Sequence, residues 1–79
     1  MKISAIVTLK KNVLDPQGKV VGQTLKNMGY NSIANIRQGK FFEIELNETD
    51  NNKGKEIVEQ ICKKLLANMV IEDYTINLK

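Results

Sequence analysis

Few side chains in this sequence could do chemistry. Its 79 residues include no histidine, so the commonest general base is missing. The single cysteine, Cys62, falls on the apolar side of the pattern Ile57, Val58, Ile61, Cys62, Leu65, Leu66. A thiol placed there is expected to pack as a small apolar group. Alone and without histidine it cannot build a tetrahedral zinc site. Glu72 and Asp73 are adjacent, and neighbouring side chains of a strand point to opposite faces, so they do not form an acid/base pair. Glu72 is expected as an edge charge and Asp73 as a strand start or partner contact. Neither GxGxxG nor GxxxxGK occurs, so no phosphate loop is expected. What remains is recognition chemistry. Arg37 is the only arginine, a rigid multi-donor fork suited to a carboxylate or to backbone carbonyls. With Lys40 and Glu43 it frames the hairpin turn at Gly39 and Lys40, either as a contact to a partner protein or as a solvated turn with a surface ion pair. Such a pair contributes about 0–1 kcal/mol.

These groups need elements to hold them. Ile3, Ala5, Val7 and Leu9 alternate with Lys2, Ser4, Ile6, Thr8 and Lys10, a strand with one apolar face. Leu14-Asp15-Pro16-Gln17-Gly18 then leads into a helix over about Pro16 to Met28. Asp15 suits the N-cap and Pro16 the first helical position. Val20, Val21, Leu25 and Met28 follow at helical spacing, and Gly29 is placed to stop the helix. Gly18 inside the first turn costs up to about 1 kcal/mol against alanine. Its presence predicts that another backbone or side chain packs closely there. Both Asp15 and Gly18 are therefore candidates for a partner contact.

Ile33, Ala34 and Ile36 predict a second strand, joined through Gly39 and Lys40 to a third in which Phe42, Ile44 and Leu46 alternate with Phe41, Glu43 and Glu45. Residues 47–54 read as a loop with a helix entry. The stripe from Ile57 to Leu66 predicts a second helix, supported by Glu59 and Lys63 at i, i+4. Asn68 is expected to end it in a left-handed conformation. A last strand over Val70 to Leu78 puts Glu72, Tyr74, Ile76 and Leu78 on one side. The order strand, helix, strand, strand, helix, strand is that of ferredoxin-like α+β folds. Right-handed crossovers then place both helices on one face of a four-stranded antiparallel sheet. The other face would show Ile6 and Phe41 among polar residues, and an uncovered apolar patch marks an interaction surface.

Length and composition narrow the function further. The chain is one domain, residues 1–79, and so short a domain is marginal alone, which favours oligomerisation. The net charge is +3, with lysines scattered among acids, and this does not predict a nucleic-acid binder. One cysteine and no signal peptide suit a reducing cytoplasm. No apolar run is long enough to span a membrane.

Three segments in this order carry a resemblance: Val13-Leu14-Asp15-Pro16-Gln17-Gly18; Ile36-Arg37-Gln38-Gly39-Lys40 with Glu43 beyond; and Cys62-Lys63-Lys64-Leu65-Leu66-Ala67-Asn68 with Val70-Ile71-Glu72-Asp73-Tyr74. From about Thr8 to Tyr74 the chain resembles the small S subunit of phosphoribosylformylglycinamidine synthase, the PurS family. One position departs: Met69 follows Asn68 where the family usually has proline. The resemblance implies a non-catalytic subunit of a glutamine-dependent ligase of purine biosynthesis, which makes formylglycinamidine ribonucleotide from formylglycinamide ribonucleotide, glutamine and ATP. It implies a dimer that bridges a large synthetase subunit and a glutaminase subunit and assists ammonia transfer, while the sequence itself fits a dimer and a tetramer alike. ATP, magnesium and glutamine would be handled by those partners, with no cofactor, metal or catalytic residue in this chain. Asp15, Gly18, Arg37, Lys40, Phe41 and Glu43 are the expected partner-facing residues. The alternative is a stand-alone ferredoxin-like module that binds a small regulatory molecule.

Overall fold

The alternation in the first strand decides where the core lies. In the computed structural model, which describes residues 1–78, Ile3, Ala5 and Val7 are at most 1% exposed. They belong to β1 (Lys2–Leu9), which lies between β2 (Gly39–Glu45) and β3 (Glu72–Leu78) in a three-stranded antiparallel sheet of order β2-β1-β3. The register stacks apolar residues in rows. Ile3 is flanked by Ile44 and Leu78, and Ala5 by Phe42 and Ile76.

Helix α2 (Asn51–Ile61) covers this face. Its N-cap is Asp50, whose carboxylate accepts the N–H groups of Asn52 and Lys53, satisfying donors that have no intrahelical partner. Val58 and Cys62 close the core against Ile3 and Ala5. The helix runs on as a π-helical turn, Cys62–Leu66, in which Ala67 N–H donates to the Cys62 carbonyl at 2.9 Å. Asn68 does not end it in a left-handed conformation. Among the described residues only Gly29 has a positive φ, 102°. Ala67 turns extended instead, and Asn68 organises the next turn. Its side chain accepts Val70 N–H and its carbonyl accepts the N–H groups of Ile71 and Glu72. That turn occupies 69–71, so β3 starts at Glu72 rather than at Val70.

Helix α1 (Pro16–Asn27) forms where the cap and proline placed it, with Gly29 just beyond its end. It does not lie on the sheet beside α2. It projects from one end of the molecule and makes at most slight contact with the strands and with α2. The expected strand at 33–36 is likewise absent from the sheet. The reason lies in the register: Gly39 and Lys40, expected as a hairpin turn, already pair with Thr8 and Val7. The chain before Gly39 has thus left the sheet, and its apolar residues lie along α1, with Ile36 beside Gly18 and Gly22. The α+β architecture with two helices and an antiparallel sheet stands, but with three strands among the described residues and one helix on the sheet. The molecule measures 49 × 25 × 14 Å with a radius of gyration of 15.9 Å. A compact domain of this length would have about 12 Å.

Candidate protein-interaction site

The root of the projecting α1 gathers Asp15, Gly18 and Arg37. The Arg37 guanidinium donates to three backbone carbonyls of the β1–α1 connection, those of Lys10 at 3.0 Å, Lys11 at 3.3 Å and Val13 at 2.8 Å. Asp15 is buried. One carboxylate oxygen accepts Gly18 N–H at 2.9 Å as helix cap, and the other accepts Gln38 N–H at 2.7 Å. The Gln38 N–H, then that of Gly18, hold its carboxyl below the usual aspartate value against the opposing effect of burial, and Arg37 adds to this. A Cβ on Gly18 would lie 2.5 Å from the Ile36 carbonyl oxygen and 2.6 Å from an Asp15 oxygen. The close approach predicted for this glycine is therefore made within the chain. Arg37 and Asp15 together tie residues 10–18 to residues 37–38.

Lys40 lies on the α2 side of the sheet, beyond the reach of that helix, with its ammonium 3.7 Å from Glu72. Glu72 is no edge charge. It is buried and also accepts Asn68 N–H at 2.7 Å, so it fixes the turn before β3. Asp73 points to the other face and pairs with Lys10 at 2.7 Å. Phe41 and Glu43 lie apart from the root of α1, on the face opposite α2. Phe41 sits directly across from Ile6, and the pair is 59% and 38% exposed. Glu43 is beside Lys2 at 3.9 Å, with Glu45 at 3.5 Å from the same ammonium. The result is a small apolar centre bordered by charge, a composition suited to protein contact. Cys62 is fully buried, and that burial, with Glu59 near it, pushes its thiol pKa up. Among the described residues no group of three or more Cys, Asp or Glu could hold a metal ion. No helix is long and apolar enough to cross a membrane.

The larger apolar surface went unanticipated. Val20, Val21 and Met28 follow the helical spacing of α1, yet with Tyr30 they are 65%, 43%, 66% and 55% exposed, in the order Val20, Val21, Met28, Tyr30. The helical period of α1 shows that it has an apolar stripe but not what covers it. Gly18 and Gly22, four apart, were the available signal. They let residues 33–36 lie along α1, which turns the valines outward.

Residues 2–79 match the family described as PurS, phosphoribosylformylglycinamidine (FGAM) synthase. The PurS subunit of phosphoribosylformylglycinamidine synthase from Bacillus subtilis (strain 168) is 44% identical over 73 residues, which is 92% of this chain and 86% of that protein. The crystal structure of PurS from Methanocaldococcus jannaschii, one of the subunits of formylglycinamide ribonucleotide amidotransferase, superposes with a TM-score of 0.90. It is 41% identical and covers 99% of this chain and 94% of its own. The structure of PurLQS from Thermotoga maritima contains a chain with a TM-score of 0.88 and 30% identity, covering 96% of this chain and 93% of that one.

Proposed function

The chain belongs to the PurS family, and from that premise we propose that it works by joining proteins rather than by transforming a substrate. It is the PurS subunit of phosphoribosylformylglycinamidine synthase, a glutamine-dependent ligase of purine biosynthesis. The match across residues 2–79 carries this reading, and a stand-alone regulatory module is not favoured. Its partners are the large synthetase subunit and the glutaminase, in keeping with the PurLQS assembly of the Thermotoga maritima relative.

Several finer points belong to the same proposal. ATP, magnesium and glutamine are handled by the partner subunits, and this chain assists the transfer of ammonia between them in the cytoplasm. The Ile6–Phe41 centre, bordered by Lys2 and Glu43, is the face offered to those partners. The α1 root of Asp15, Gly18 and Arg37 sets the angle of that helix and contributes to contact through that shape. The ferredoxin-like order is completed to four strands only when residues 33–36 find a pairing partner.

The test is reconstitution. Titrating this chain into the two partner subunits should raise glutamine-dependent turnover more than ammonia-dependent turnover, with no turnover by the chain alone. An equal effect on both ammonia sources would remove the transfer role, and failure to co-purify with either subunit would remove the bridging role.

A further inference from the structure

A chain that joins two different proteins needs two surfaces, and the Ile6–Phe41 face can seat only one of them at a time. A second surface lies where α2 ends. Val70 and Leu65, 82% and 80% exposed, are the most exposed large apolar side chains among the described residues. Met69 and Ile71 are exposed as well. Single exposed apolars are ordinary on a protein surface, but here four of them fall within residues 65–71. The segment that carries them is fixed. Asn68 N–H donates to the Glu72 carboxylate, and Lys10 N–H donates to the Ile71 carbonyl at 2.8 Å. Side chains presented on a fixed backbone lose less freedom on binding. Position agrees with a second contact. Cys62 packs down on Ile3 and Ala5, whereas Leu65 in the same π-helical turn stands out in solvent on the α2 side of the sheet. Ile6 and Phe41 occupy the opposite face, so both surfaces can be covered at once.

Charge selects the occupant. Between Glu59 and Glu72 the chain carries Lys63 and Lys64 and no acid. Both lysines are exposed, and neither forms an ion pair among the described residues. Lysines at the end of a helix offset its dipole, which accounts for their place but not for the apolar side chains beside them. The Ile6–Phe41 centre differs, since Lys2, Glu43 and Glu45 border it with both signs. Surfaces of unlike charge select unlike partners.

We propose that residues 63–71 form a second docking surface, and that its occupant is an apolar socket rimmed by carboxylates on the subunit that the Ile6–Phe41 face does not hold. The proposal deepens the subunit reading and rests on it for the existence of two partners. The chain then lies between the two subunits, with one against each side of its sheet.

The experiment titrates the full chain into each isolated partner subunit at low and high salt. Light scattering records its mass, and vesicles of phosphatidylcholine with phosphatidylserine serve as a lipid arm. The unaltered chain should bind both subunits. The double variant Leu65→Ser, Val70→Ser should bind one of them roughly tenfold or more weakly and the other within about twofold of the unaltered chain. Lys63→Glu, Lys64→Glu should weaken binding to that same subunit, with the larger effect at low salt. If the serine variant does not fold, the glutamate variant decides alone. Normal binding of both subunits by either folded variant, or equal loss of both, would overturn the proposal and leave the subunit reading standing. A fall in mass with either variant would assign the surface to a second copy of this chain instead. Vesicle binding that the variants abolish would assign it to an anionic membrane. An unaltered chain that binds fewer than two subunits removes the bridging reading itself, and the proposal with it.

Discussion

At Arg37 the guanidinium is occupied by three carbonyls of its own chain, so the residue acts first as a clamp. Hydrogen bonds to a charged group are stronger than neutral ones, but these are exposed and partly screened. Arg37→Ala is expected to cost about 1 kcal/mol, which lowers the melting temperature by roughly 4–8 °C in a domain of this size. Arg37→Lys should not restore it, because one ammonium cannot span the carbonyls of Lys10, Lys11 and Val13. A thermal melt at fixed protein concentration reads both. Asp15 gives the root of α1 a pH dependence. Its carboxyl is lowered from 3.8 in the folded chain, so its stabilising contribution is present above that value and is lost as pH falls through the lower folded value. Acid unfolding should therefore begin at the root of α1, seen as early loss of α1 amide protection. Asp15→Asn should flatten this part of the acid profile. Gly18→Ala should destabilise by about 1–3 kcal/mol despite alanine's better helix propensity, because its Cβ would collide with the Ile36 carbonyl. A melting temperature raised by that substitution would contradict the packing described for Gly18.

At the scale of elements, the turn after α2 explains how Met69 can stand where the family usually has proline. Asn68 carbonyl accepts Ile71 N–H at 3.0 Å, which makes Met69 the first central residue of a β-turn, a position that proline favours. Methionine keeps the turn because Asn68 and Glu72 hold it from both sides through side-chain bonds. Met69→Pro is therefore expected to stabilise the chain by about 0.4–1 kcal/mol, by reducing the freedom of the unfolded state. The measurement is a urea midpoint moved upward with an unchanged slope. Helix α1 makes the opposite point about elements. Its ends were legible, since Asp15, Pro16 and Gly29 act locally on the backbone. Its place in the molecule was not, because an apolar stripe states only that something covers it.

At the scale of the whole molecule, the elongated shape separates α1 from the Ile6–Phe41 face. Phe41→Lys should weaken capture of a partner subunit by roughly tenfold or more, as hot-spot truncations of about 1.4 kcal/mol or above do. It should leave the mass of the chain by light scattering unchanged. A fall in mass would show that this face also joins copies of the chain. Strands β1, β2 and β3 were each readable from alternation within one segment, but their order β2-β1-β3 was not. The absence of a hairpin was not, because pairing Gly39 with Thr8 depends on where β1 ends in space.

The sequence by itself determined the elements with local causes: the capped start of α1, the apolar face of β1, the core-facing Val58 and Cys62 of the second helical pattern, whose Ile57 and Leu65 are exposed, and the opposed directions of Glu72 and Asp73. Each depends on dihedral preference or on periodicity within one segment. Its three ordered segments also carried the family. Only the tertiary structure decided that α1 stands away from the sheet, that residues 33–36 run along α1, that Arg37 closes on the loop carbonyls and that Glu72 is buried beside Lys40. These depend on which distant segments meet. Periodicity says that a face is apolar, but it does not say what covers that face.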